Sequence, residues 1–390
     1  MLAIFFAGVF CVSADELAWP PITSQNRPWT WWWWHGSAVD KTNLARELRE
    51  FHDAGLGGVQ VTTIYGVKGV ESRDIPYLSP RWLDMLDFTV DEAGDLNMGV
   101  TMTLGSGWCF GGPTVSRQDA NASVVVKTYP LGVGEKMEQK FDPQTTQALM
   151  AFSSDGQVVD LTDKISAGGS VNWVAPSNAV PLTLTLSPKG AREHRQSAST
   201  DSSLAPTGGE GRGEGTAWTV YAISQKPSGQ KVKRAAPGGE GWMLNPLYPQ
   251  AMTNWLKWFD GKFTGGASVP TSRVGTNLNM FAAREDARPT GAKPLAVFQD
   301  SYEYRTDWSP DFFAQFEKLR GYKLQDELPA LFAGSRLNDS TIQRFTNADE
   351  IARVKYDYRR TVSEIMAEET EPAWIAWAHQ NGFQTIYQAH

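Results

Sequence analysis

Apolar runs and helical periods alternate along the first hundred residues. Residues 29–34 carry five tryptophans, bounded by Pro28 and by His35 and Gly36, and predict a buried strand. Behind Asp40, Leu44, Leu48 and Phe51 recur at helical spacing, which predicts a capped helix to about Ala54 that Gly55 stops. Residues 57–64 predict the next strand. Ser79 and Pro80 open a second helix with Trp82, Leu83, Leu86, Val90 and Ala93 on its apolar stripe. Residues 98–104 predict a third strand, which runs into the glycine-rich turn 105–113. Strand and helix alternating at this spacing predict parallel βα units.

The pattern then changes. Between 123 and 234 short alternating strands are expected at 123–131, 148–153, 158–161, 171–174 and 216–224, with no good helix among them. Within this stretch, residues 182–215 are polar and glycine-rich without apolar periodicity, and are expected to form a disordered, repeat-like surface loop. Helical signals return at 249–263 and 310–319, and again at 349–380 with a bend or break near Pro372. Residues 295–300 and 383–389 complete a set of strands near 29–34, 57–64 and 98–104. A (β/α)8 TIM barrel needs eight strands in roughly 250 residues. The expected fold is therefore α/β: a partial (β/α)8 barrel of about five strands with an inserted antiparallel β domain. Its parts would be a first barrel segment at 25–122, the insertion at 123–234 and a continuation at 235–390. A chain that stops on an apolar strand predicts a natural domain continuing past His390.

Composition narrows the classes. The 390 residues carry 36 basic and 43 acidic side chains, a net charge of −7, which argues against nucleic-acid binding through bulk charge. Hydrophobic content of 41% with 20% charged residues is globular. The 16 tryptophans stand out, since aromatic planes are what sugar-binding clefts stack on pyranose faces. Residues 1–14 read as a short signal peptide ending in Val12 and Ala14, with secretion or a periplasmic location implied. They lack a basic start, which leaves a buried N-terminal strand or helix as the alternative. No stretch reaches transmembrane length. Cleavage after Ala14 would leave Cys109 as the only cysteine, so no internal disulfide is expected.

In such barrels the working residues lie at the C-terminal ends of strands. That rule selects Trp33, Trp34 and His35; Thr63 and Tyr65; Ser106, Trp108 and Cys109; Asp300, Ser301, Tyr302 and Glu303; and Gln388 and His390. Asp300 and Glu303 offer two carboxylates where an apolar strand ends, and glycoside hydrolysis uses a pair of carboxyl groups. The plainer alternative is that either residue caps a helix or pairs with Arg305. Strand alternation sends half of the tryptophans under the helices, so Trp34 or Trp32, whichever faces the mouth, is the stacking candidate. Glu240 reads as a surface cap, and Cys109 is not expected to act as a nucleophile. No zinc, EF-hand or phosphate-loop spacing is present.

The ordered set of residues 33–36, 54–59, 78–82, 105–113, 232–241, 300–303, 320–322, 356–359 and 388–390 resembles glycoside hydrolase family 106, the α-L-rhamnosidases, across residues 27–130 and 230–390. The resemblance implies a secreted bacterial enzyme with a TIM-barrel catalytic domain that removes terminal L-rhamnose from plant polysaccharides with inversion, using calcium. It implies Glu303 as the general acid; the strand-end rule supplies Trp34, His35, Tyr65, Trp108, Asp300, Gln388 and His390 as substrate-binding candidates. The general base is expected past the end of this chain, no residue is assigned to metal, and the chain alone is expected to hydrolyse little. Other readings are a β-galactosidase-like barrel hydrolase, a non-catalytic carbohydrate-binding protein, or a fragment that does not fold stably.

Overall fold

The computed structural model describes residues 21–176, 218–263, 293–334 and 347–388. The expected signal peptide, the 182–215 loop and His390 lie outside them. In chain order the elements are β1 (Trp29–His35), α1 (Lys41–Asp53), β2 (Gly58–Ile64), α2 (Pro80–Asp95), β3 (Gly99–Thr103), β4 (Gly111–Gly112) and β5 (Ala122–Leu131). They continue with β6 (Thr146–Ser153), β7 (Val158–Asp160), β8 (Trp218–Pro227), β9 (Trp242–Met243), α3 (Pro249–Leu256) and β10 (Ala296–Gln299). The last are α4 (Phe312–Arg320), α5 (Leu328–Leu331), α6 (Ala348–Glu364), α7 (Glu371–Gln380) and β11 (Gln384–Tyr387). No helix among the described residues is long and apolar enough to cross a membrane. The chain divides into two compact units.

The first unit takes the described residues up to Asn121, Gly229–Arg305, and those from Glu369 on. Its sheet is parallel throughout, in the order β1-β2-β3-β10-β11. The helices start where short side chains satisfy their first free amides: Asp40 accepts from Asn43 N–H at 3.0 Å, and Ser79 accepts from Trp82 N–H at 3.2 Å ahead of Pro80. One face of β1 feeds the core. Trp32 and Trp34 are buried there, edge-on to Phe51 of α1 and Trp82 of α2 respectively. The opposite face carries Trp31 and Trp33, stacked with centroids 5.2 Å apart. Trp31 also meets the Phe298 ring of β10 at 5.2 Å, although β2 and β3 lie between their strands. Three strand spacings in a flat sheet amount to ~14 Å, so this sheet curls strongly toward that face.

The second unit takes Ala122–Ser228 and Thr306–Glu368. Its sheet is antiparallel, ordered β5-β8-β6-β7, with β5 and β8 paired from Ala122↔Pro227 to Leu131↔Trp218. Leu149, Ala151, Trp173, Trp218 and Val220 fill its core. It also holds α4, α5 and α6, which fall in a stretch that the sequence groups with the parallel units. The strand expected at 171–174 is reduced to isolated bridges, Ile165↔Val171 and Lys136↔Val174. The helical stretch 349–380 is interrupted as expected: a π-helical segment, Ile365–Thr370, separates α6 from α7, and Pro372 sits in the first turn of α7, where its missing N–H costs nothing.

Candidate active site

Three chain segments of the first unit meet beyond the C-terminal ends of its strands: the turn after β3, residues 230–234, and the residues after β10. Backbone hydrogen bonds join the first two to each other and to the end of β2. Gly107 N–H donates to the Thr63 carbonyl at 2.9 Å, Trp108 N–H to the Lys233 carbonyl at 2.9 Å, and Tyr65 N–H to the Arg234 carbonyl at 3.1 Å. Gly107 is required here, because its φ is +66° and a Cβ would stand 2.0 Å from the Lys233 carbonyl oxygen. The Trp108–Cys109 peptide is cis.

Glu303 is held by this junction. One carboxylate oxygen accepts from the Ser301 hydroxyl at 2.9 Å, and the other is paired with the Lys233 ammonium. Its backbone N–H donates to the Cys109 sulfur at 3.1 Å, while the Cys109 thiol donates to the Ser301 carbonyl at 3.3 Å. Its carbonyl accepts from the Gln230 amide at 3.1 Å. Burial pushes the Cys109 thiol up to about 12, against a smaller downward pull from Lys233, so it stays neutral and inert. Burial likewise raises the Tyr302 and Tyr304 phenols well above their ordinary value. Neither alternative for the acidic pair is seen: Glu303 pairs with Lys233 rather than Arg305, and α4 begins only at Phe312. Asp300 accepts from Ser301 N–H at 2.7 Å, so Ser301 contacts both carboxylates.

An aromatic group gathers around Arg234, the chain neighbour of Lys233. The exposed His35 ring meets Tyr65 edge-on at 6.0 Å. The Arg234 guanidinium lies 5.5 Å from the Tyr65 ring centre and 5.4 Å from that of Trp108, and donates to the Tyr65 hydroxyl at 2.8 Å. Of the predicted residues, His35, Tyr65, Trp108, Asp300 and Glu303 thus gather around Lys233 and Arg234. Gln388 lies apart from these contacts and extends the strand pairing through its N–H to the Gln299 carbonyl at 3.0 Å. Trp34 is a correction. It is 1% exposed on the helix side of β1, out of reach of any ligand, and Trp32 shares that side; Trp31 and Trp33 are the open pair. Lys233 and Arg234 were not among the candidate site residues, although both lie in the 232–241 motif that carries the resemblance. The motif and the cation-rich run 231–234 were their signals, and neither says which strand end they join.

Among the described residues no three His, Cys, Asp or Glu side chains gather as a metal-binding group, so the calcium implied by resemblance finds no such cluster among them. Cavities of about 270 and 280 Å³ lie in the antiparallel unit, lined by residues of 129–139 and of 140–169. None of their lining residues is among the carboxylate, cations and aromatic rings described above, and the site is defined by those side chains.

The loops at the C-terminal ends of parallel strands are where barrel enzymes carry their working residues, and glycoside hydrolases place a pair of carboxyl groups in such a site. The chain belongs to glycoside hydrolase family 106, described as alpha-L-rhamnosidase, whose profile matches residues 19–153 and 270–390. Among curated proteins it is 25% identical over 381 residues to a Formosa agariphila protein named "Putative beta-glucuronidase", covering 94% of this chain and 29% of that one. Among solved structures it is similar to a rhamnosidase from Novosphingobium sp. PP1Y, with a TM-score of 0.62, 16% identity, and coverage of 95% of this chain and 46% of the other. The chain thus spans less than half the length of either relative.

Proposed function

We propose that this chain contributes the acid-bearing side of an inverting α-L-rhamnosidase site acting on plant polysaccharides, with Glu303 as general acid. The observation that carries the reading is the held position of Glu303 after β10, tied to Ser301, Cys109 and Lys233, with Tyr65 and Trp108 around the adjoining Arg234. We read the curled five-stranded sheet as part of a (β/α)8 barrel, a reading supported by the Trp31–Phe298 contact. In the arrangement observed, Glu303 accepts from an ammonium and a hydroxyl, as an ionised carboxylate does. Acting as an acid requires the proton on one of these oxygens, so Lys233 must withdraw when the glycosidic oxygen takes its place. A second carboxylate, to which we assign no residue of this chain, would activate water on the opposite face. Inversion sets the two groups roughly 6.5–9.5 Å apart.

Glu303→Gln in the intact protein tests the assignment. Hydrolysis of rhamnosides with poor leaving groups should fall by about 10²–10⁴-fold. Activated aryl rhamnosides should lose less, and rhamnoside binding should persist. Near-normal turnover on a poor leaving group would remove Glu303 from the acid role. A second reading, release of a uronic acid, is supported by the exposed cations Lys233 and Arg234 and by the name of the Formosa relative. A panel of nitrophenyl glycosides separates the two, and also separates both from a protein that binds sugar without cleaving it.

A further inference from the structure

Three cations stand within residues 231–234, and their surroundings differ. Lys231 lies over the Trp242 ring at 4.5 Å, and Lys233 is committed to Glu303. Arg234 is exposed, and no carboxylate of the described residues lies at salt-bridge distance from it. Its guanidinium spends one donor on the Tyr65 hydroxyl, and the faces of Tyr65 and Trp108 hold it in place. A guanidinium has five donors in a rigid fork, so most of them remain available. Two rings have already fixed the orientation of this fork, so little further entropy is lost when it closes on a planar anion.

The anion has to belong to a sugar if Glu303 is the acid of a glycosidase site. Arg234 adjoins Lys233, whose ammonium touches Glu303. Tyr65, which is exposed, leaves part of its ring open to a pyranose beside the guanidinium. A carboxylate on a sugar ring matches the fork in planarity, charge and bidentate spacing. We propose that Arg234 recognises the carboxylate of a uronic acid residue to which the rhamnose is attached, so that the preferred substrates are rhamnosyl uronates. This rests on the rhamnosidase reading given under Proposed function.

Calorimetry of the intact protein with a rhamnosyl glucuronate disaccharide and its carboxyl-reduced counterpart, rhamnosyl glucose, tests the proposal. The ratio of the two affinities is the readout, so any loss common to both ligands cancels. The native protein should favour the uronate by at least about tenfold. Arg234→Met should bring the ratio to within about twofold, and Arg234→Lys, which keeps the charge but not the fork, should fall between. A native ratio near one overturns the uronate subsite and leaves the rhamnosidase reading standing, and so does a preference that survives in Arg234→Met. Binding of neither disaccharide by the native protein overturns both. The native ratio is decisive even if a variant fails to fold.

Discussion

Trp34 and Trp33 are neighbours on β1 with opposite surroundings, so truncating each in turn separates packing from ligand contact. Trp34 is 1% exposed, and its ring lies 5.9 Å from Trp32 and 6.3 Å from Trp82. Trp34→Ala removes a fully enclosed indole and leaves a cavity that the strand and two helices cannot close, at a cost of about 3–5 kcal/mol. Against the 5–15 kcal/mol that typically holds a domain, this is a large fraction. Trp33 is 41% exposed and stacks on Trp31 at 5.2 Å. Trp33→Ala should cost only about 1–2 kcal/mol, the stacking and the buried part of the area. Urea unfolding followed by far-UV circular dichroism measures both. With a slope of about 1–3 kcal/mol per molar urea, the Trp34 variant should lose more than ~1 M from its midpoint, and the Trp33 variant clearly less. A Trp34→Ala protein destabilised by under ~1.5 kcal/mol that nevertheless lost rhamnoside binding would refute this, and would return Trp34 to the ligand-binding side.

Three other outcomes follow from the same packing. Gly107→Ala places a methyl against the Lys233 carbonyl at a positive-φ position, and should lower rhamnoside affinity and the thermal midpoint together; unchanged affinity would detach this turn from the site. The Cys109 thiol should resist Ellman's reagent at pH 8 until urea unfolds the chain. Its folded value is raised to about 12, so between the unfolded value near 9 and pH 12 the unfolded chain sheds a proton the folded chain keeps. Stability should therefore fall as pH rises through that window, by more in the native protein than in Cys109→Ala. Glu364→Gln leaves the Arg320 guanidinium, whose side chain is only 6% exposed, without its carboxylate and with the Thr361 hydroxyl as a neutral partner, and should cost about 3 kcal/mol; the double change to Arg320→Met and Glu364→Leu should recover much of it.

The parts of the fold legible in the sequence are those written locally. Asp40 and Ser79 announce their helices because a cap and a 3.6-residue stripe lie within one stretch of chain, and β1, β2 and β3 lie near their expected positions. The face of β1 was not legible for a physical reason. Alternation fixes that residues two apart share a side, but tryptophans occupy both sides, at 31 and 33 and at 32 and 34. What selects the core side is Phe51 and Trp82, which arrive from α1 and α2. The four residues of α5 are too few to show a period, and the two-residue strands β4 and β9 exist only because Gly111 and Met243 come together over a long separation.

The candidate site divides along the same line. His35, Tyr65 and Trp108 follow from one rule about strand ends, whereas Lys233 enters through a backbone bridge to Trp108, 125 positions earlier in the chain. The contacts close into a ring. Trp108 pairs with the Lys233 backbone, the Lys233 ammonium holds the Glu303 carboxylate, and the Glu303 N–H returns to Cys109. Each link is modest: an exposed ion pair contributes about 0–1 kcal/mol, and a backbone hydrogen bond about 1. Their effect is positional, because each segment is fixed by the other two. A carboxylate carried by a loop after β10 is thereby tied to the turn after β3, and the acid role proposed for it is one that demands such fixed placement. The cysteine in this ring serves as a neutral two-way connector, donor to Ser301 and acceptor from Glu303, a role open to it because burial keeps it from ionising.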